Sequence, residues 1–175
     1  MKYTKEFSEI FNHPSRGEFL CRAIRPSDKE GLVMALKDLS IESRKKRFLT
    51  LKKGFTEKEL KIFTEVDFVR HVALAILKVV DQSFEPVGTV RFFVDEDNLE
   101  RAEFAITILD KFQGLGIGNY LFDHLCEAAK ERGIKELYGT ASTENNKIVK
   151  LMKKKGEVKS KVITHGILEL SLKLG

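Results

Sequence analysis

Two stretches of this sequence have the residue types and spacing to do chemistry. The first is the turn Gln113-Gly114-Leu115-Gly116-Ile117-Gly118, followed directly by Asn119. A glycine-rich turn that opens a helix suits anions, because the first helical N–H groups lack partners and the helix dipole adds partial positive charge. Two phosphate fingerprints are excluded: a P-loop needs Gly-Lys-Ser/Thr at its end, and a dinucleotide fold needs glycine where Asn119 stands. On residues alone the turn is an anion cradle or a plain strand-to-helix connection. The second stretch is Ala102-Glu103-Phe104-Ala105. Alternation puts Ala102, Phe104, Ile106 and Ile108 on one face, and Glu103, Ala105 and Thr107 on the other. A carboxylate in so apolar a strand is expected to have a raised pKa, which suits a general base. The alternative is a half-exposed glutamate paired with Arg91 or Arg101.

These groups must be held by a fold, and the pattern predicts its elements. A first strand ends at Ile24-Arg25-Pro26, and Ser27 or Asp28 caps a helix with Leu32, Val33, Leu36 and Leu39 inward. Ser40 caps a second helix, and Thr56 with Glu59 has the capping-box spacing for a third. Val69 to Val80, Val87 to Val94 and Ala102 to Leu109 read as an antiparallel meander. A helix follows the glycine turn and ends near Gly133, a strand includes Glu136 to Gly139, and Asn145 to Lys155 forms the next helix. Val158 to Leu174 closes the chain as a hairpin turned at His165-Gly166. This order predicts an α+β fold with a mixed, mostly antiparallel sheet of about seven strands and flanking helices.

Composition narrows the partners. The 175 residues fit one domain, 42% of them are hydrophobic, and the formal charge of +5 favours an anionic partner. Neither a secretory leader nor a membrane span is expected, since the longest apolar run, Val72 to Leu77, is short; a soluble, cytoplasmic protein is the expectation. Cys21 and Cys126 read as reduced buried thiols, and no metal is expected. The basic run Arg44-Lys45-Lys46-Arg47 lacks interleaved aromatics and is expected to be the wet face of a helix; nucleic acid is not the expected partner. His13 and His165 fall in predicted loops, His71 opens a strand and His124 lies on a helix, and none has a metal partner at ligand spacing.

Gln-x-x-Gly-x-Gly after an antiparallel meander resembles the GNAT superfamily of N-acetyltransferases. Ala23-Ile24-Arg25-Pro26-Ser27-Asp28, Arg44 to Phe48, and Ala102 to Ala105 look most like the catalytic domain of bacterial Pat-type protein lysine acetyltransferases. The resemblance spans about Arg22 to Gly175, which sets residues 1–21 apart as an N-terminal extension and 22–175 as the transferase domain. It implies that Gln113, Gly114, Leu115, Gly116, Ile117 and Gly118, with Asn119, hold the coenzyme A pyrophosphate of acetyl-CoA. It also implies that Ile106, Thr107 and Ile108 pair with the pantetheine arm, that Asn145 contacts that arm, and that Glu103 is the base.

The implied reaction is direct acyl transfer to a primary amine of a protein lysine; a small amine acceptor or a non-catalytic acyl-CoA-binding module are the alternatives. Deprotonating such an ammonium costs about 4.6 kcal/mol at pH 7, which is why a base is needed. The family's usual tyrosine acid is replaced by Met152, Tyr120 and Tyr138 stand elsewhere, and Glu157 replaces the usual phenylalanine after Gly156, so no acid is assigned.

Overall fold

The alternating stretches join one eight-stranded sheet in a computed structural model that describes all 175 residues. Its strands are β1 (Ser8–His13), β2 (Gly17–Ala23), β3 (His71–Val80), β4 (Ser83–Val94), β5 (Arg101–Ile108), β6 (Glu136–Ser142), β7 (Val158–Thr164) and β8 (Ile167–Lys173). Their order across the sheet is β1-β2-β3-β4-β5-β6-β8-β7. Every neighbouring pair is antiparallel except β5 with β6. Five helices complete the fold: α1 (Lys29–Asp38), α2 (Ile41–Phe48), α3 (Glu57–Thr64), α4 (Ile117–Lys130) and α5 (Asn146–Lys153).

The eighth strand is β1, which the sequence pattern does not announce. It is an edge strand whose side chains alternate between exposed and half-buried, so it lacks the apolar run that marks the inner strands. Residues 1–21, set apart above as an extension, supply β1 and much of β2, and Tyr3 and Phe19 are fully buried.

Local signals start the helices as expected. Ser40 Oγ accepts from the Ser43 amide at 3.1 Å, while Thr56 and Glu59 cap each other's backbone amides at 3.1 and 2.8 Å. Asp28 precedes α1 but spends its carboxylate on Arg22 and on the Arg25 amide, at 2.7 to 2.8 Å, which fixes the entry to that helix. No helix is long and apolar enough to cross a membrane.

The sheet separates two layers. On one face Val90, Phe92, Ala102 and Phe104 pack with Leu121, Phe122 and Leu125 of α4 in the main core, which α5 joins through Met152. Each of the valine, leucine, phenylalanine and methionine side chains removed from water contributes about 1.5 to 3 kcal/mol. On the other face lie α1 to α3, where a smaller cluster of Leu36, Leu39 and Leu109 meets Phe48 and Phe55. The feature that positions the site is a parting of strands. β5 pairs with β6 only at Arg101 with Glu136, Ala102 with Leu137 and Glu103 with Tyr138. Beyond that point β5 stays with β4 as far as Ile108, and β6 stays with β8 as far as Ser142, so a wedge opens between them.

Candidate active site

A cavity of about 790 Å³ fills this wedge and reaches the glycine turn, within the range of ordinary ligand sites. Glu103, Ile106, Thr107, Ile108, Gln113, Gly114, Gly116, Gly118, Asn119 and Asn145 all line it. Leu115 and Ile117 do not: Leu115 packs against the main core and Ile117 is buried within it, so each can offer the cavity only its backbone.

At the turn, Gly114 and Gly116 have φ of 74° and 80°, which glycine adopts without strain. A Cβ at either would meet nothing within 4 Å, so open space surrounds the backbone there. The first amide of α4 to bond back is Tyr120, to the Gly116 carbonyl at 3.1 Å. The N–H groups of Ile117, Gly118 and Asn119 are therefore free, and Asn119 Oδ1 is buried without a partner. The turn itself is braced from three sides. His13 Nε2 donates to the Leu115 carbonyl at 2.9 Å, Gln113 Nε2 donates to the Ile108 carbonyl at 3.0 Å, and Lys147 Nζ donates to Gln113 Oε1 at 2.8 Å.

On β5, the Leu109 amide bonds to β4 through the Val87 carbonyl at 2.9 Å, so alternation turns the backbone groups of Ile108 and Ile106 into the wedge. Thr107 instead directs its backbone toward β4 and supplies its side chain to the cavity. Asn145 precedes α5, where its Oδ1 accepts from the Ile148 amide at 3.4 Å.

Glu103 stands where the strands part. It makes neither a hydrogen bond nor an ion pair: Arg101 is bound instead to Asp95, Glu136 and Glu169 at 2.9 to 3.3 Å, and Arg91 points elsewhere. Partial desolvation raises its pKa above the ordinary glutamate range, helped by Asp95 and Glu169 and opposed by Arg47 and Arg101. No tyrosine stands ready as an acid. Tyr138 donates to Asp95 at 2.8 Å and its pKa is pushed up to about 12 by burial and that carboxylate. Tyr120 donates to Glu9 at 3.1 Å, and Met152 is fully buried. His71 is buried against Phe93, its pKa held down to about 3 by desolvation and by Arg91, and it does not line the cleft.

The sequence model of the acetyltransferase (GNAT) family matches residues 41–156. The chain belongs to that family. It is 29% identical over 141 residues to acetyltransferase Pat of Mycolicibacterium smegmatis, an alignment that takes in 80% of this chain and 41% of the relative. It is also 29% identical over 126 residues to acetyltransferase PA5475 of Pseudomonas aeruginosa, covering 72% of this chain and 67% of that protein. The crystal structure of the GNAT domain of S. lividans PAT superposes with a TM-score of 0.82 at 27% identity, over 95% of this chain and 97% of that one. The chain thus spans less than half of the M. smegmatis Pat it matches, and nearly all of an isolated GNAT domain. The chain is thus an acetyltransferase (GNAT) family domain with a mixed α+β GNAT fold.

The GNAT domain also gathers residues outside the site expected from the sequence. Lys147, Lys150 and Lys154 line the cavity from α5 and its end, a helical i, i+3, i+7 spacing that could have been read beforehand. Asp110 accepts from the Ser40 amide and hydroxyl and from the Ser43 hydroxyl at 2.7 to 3.0 Å, tying the start of α2 to the end of β5. The basic run is not a wet face. Arg44 donates to the carbonyls of Leu39, Lys37 and Lys52, Lys46 pairs with Glu42, and Arg47 lines the cavity; Lys45 alone is fully at the surface.

Proposed function

We propose that this GNAT domain transfers the acetyl group of acetyl-CoA to the side-chain amine of a protein lysine, with Glu103 as general base. The observation that carries the reading is Glu103 itself, an unpaired carboxylate with a raised pKa on the cavity that holds the glycine turn and the free edge of β5. In this reading the free amides of Gly114 to Asn119 receive the pyrophosphate, and Lys147, Lys150 and Lys154 offset its charge. The pantetheine arm pairs with Ile106 and Ile108 as an added strand, with Thr107 and Asn145 beside it. Residues 22–175 form the catalytic unit, residues 1–21 complete its sheet, and the cytoplasm, where acetyl-CoA and lysine side chains meet, is the proposed location.

The chemistry is one displacement. Glu103 takes a proton from the ammonium, directly or through water, and the amine nitrogen bonds to the thioester carbonyl carbon while strand amides stabilise the oxygen. The C–S bond then breaks as the nitrogen gives its second proton to water, and the departing thiolate takes a proton from water, since Tyr120 and Tyr138 are engaged elsewhere. The resemblance of Ala23 to Asp28, Arg44 to Phe48 and Ala102 to Ala105 to Pat-type protein lysine acetyltransferases favours the protein-lysine acceptor over a small amine.

The test is a Glu103→Gln variant assayed with lysine-containing proteins and with small amines. Expected are unchanged calorimetric binding of acetyl-CoA and a fall in kcat/KM of about 10² to 10⁴. Wild-type turnover by a folded, donor-binding variant would overturn the base assignment. Donor binding without turnover of any acceptor by the native protein would favour a binding module.

A further inference from the structure

Behind the cleft lies a second, smaller cavity of about 80 Å³ between α1 to α3 and the sheet. Most of its wall is apolar, with Ile24, Leu36, Phe48 and Phe63 among the lining residues, yet two guanidinium groups stand on it. Arg91 of β4 is 3% exposed, and its Nη1 donates to the Phe63 carbonyl at 3.0 Å and to His71 Nε2 at 3.3 Å. Arg47 of α2 lies over the Phe48 ring, 4.7 Å from its centroid, and its Nε is buried without a partner. Neither arginine has a carboxylate within 4.0 Å. The one carboxylate on this cavity, Asp28, is already taken by Arg22 and the Arg25 amide.

Unpaired buried cations are costly, and buried charges are normally matched. Burial lowers the pKa of both groups, and the charge of Arg47 adds to the effect on Arg91. Arg91 is buried and Arg47 half-buried on the same small cavity, and two cations so placed call for an anion. Arg47 also lines the main cleft that holds Glu103, so it forms a wall shared by the two spaces. Arg91 stands opposite Ala105 on the neighbouring strand, one same-face step from Glu103. Strand spacing and rise put the two backbone positions on the order of 8 Å apart.

We propose that the Arg47–Arg91 pair receives a carboxylate carried by the acceptor, several bonds from the amine that Glu103 deprotonates. The inference rests on the transferase reading of the cleft. A space of about 80 Å³ has room for a carboxylate with a methylene or two. Guanidinium forks match a carboxylate in two-point geometry. The carboxylate can be that of a free amino acid or of an acidic side chain beside the target lysine.

Two acceptor pairs test this and distinguish the sources: L-lysine against cadaverine, which lacks only the carboxylate, and a blocked peptide with glutamate beside its lysine against the glutamine form. Each is assayed for acetylation, and for binding by calorimetry in the presence of coenzyme A. The carboxylate member of at least one pair is expected to show kcat/KM at least tenfold higher, mainly through KM, with matching tighter binding. Arg47→Gln is expected to bring that ratio close to one. Arg91→Gln should do the same, but because it alters a buried group, Arg47→Gln on the cleft wall carries the test. Equal handling of both members of both pairs overturns the proposal, as does discrimination that survives in Arg47→Gln. If nothing is acetylated but the carboxylate peptide still binds more tightly, the anion site stands and the transferase reading fails.

Discussion

At the scale of single residues, the chemistry depends on which ionisable groups are paired and which are left free. Glu103 is free because its neighbour Arg101 is held by three other carboxylates. His71 illustrates the opposite case, a titratable group locked in one state. Its pKa of about 3 lies well below the ordinary 6.5, with burial first and Arg91 second as causes. The unfolded imidazole therefore binds a proton as pH falls below about 6.5, and the folded one does so only near 3, so His71 makes stability fall with falling pH between those values. In His71→Gln, urea unfolding should lose this slope, up to about 1.4 kcal/mol per pH unit. Parallel stability curves for variant and native protein between pH 6 and 4 would refute it. The face that Glu103 occupies was legible in the sequence from strand alternation, while its role as base came only with the family resemblance. Arg47 and Arg91 were not legible, since their isolation follows from which carboxylates the fold spends elsewhere.

At the scale of elements, the site depends on how closely β4 holds β5 while β6 leaves it. Gly88 makes that closeness possible: a Cβ there would sit 2.5 Å from the Thr107 carbonyl oxygen and 2.7 Å from Ile108 Cδ1. The Ile108 side chain can move, but the Thr107 backbone cannot without shifting the strand that borders the donor. Gly88→Ala should therefore destabilise by about 1 to 3 kcal/mol and weaken acetyl-CoA binding together. Denaturant unfolding and calorimetry check this, and a variant native-like in both would show that β5 yields without consequence. Helix starts such as Ser40 and the Thr56–Glu59 box were readable because their signals are local, as was the glycine turn. The edge strand β1 was not, and with it went the bond from His13 to the Leu115 carbonyl. That contact joins positions 102 residues apart, and nothing in either local stretch encodes it.

At the scale of the whole molecule, one sheet carries both the core and a gap. Cys21 and Cys126 are buried in the main core on β2 and α4, and burial pushes both thiols up to about 12, so they are inert packing groups in the folded chain. The excess positive charge predicted from composition is expressed locally, with Lys46, Arg47, Lys147, Lys150 and Lys154 on the cleft against Glu42, Glu103 and Asp110. The parting of β5 from β6 has a consequence for the protein as well as for its reaction. A ladder left unfilled from Phe104 to Ile108 exchanges its inward amides with solvent, and an acyl donor lying along it would act as a missing strand. Hydrogen exchange at Ile106 and Ile108 should slow, and the melting temperature should rise, as acetyl-CoA is added; unchanged exchange at saturating donor would remove the strand-addition mode. At a hundred times its dissociation constant the donor adds about 2.7 kcal/mol to the folded state. The lifetime of this chain against unfolding and proteolysis would then follow the supply of its own acyl donor, so that a cell poor in acetyl-CoA holds less of the protein that consumes it.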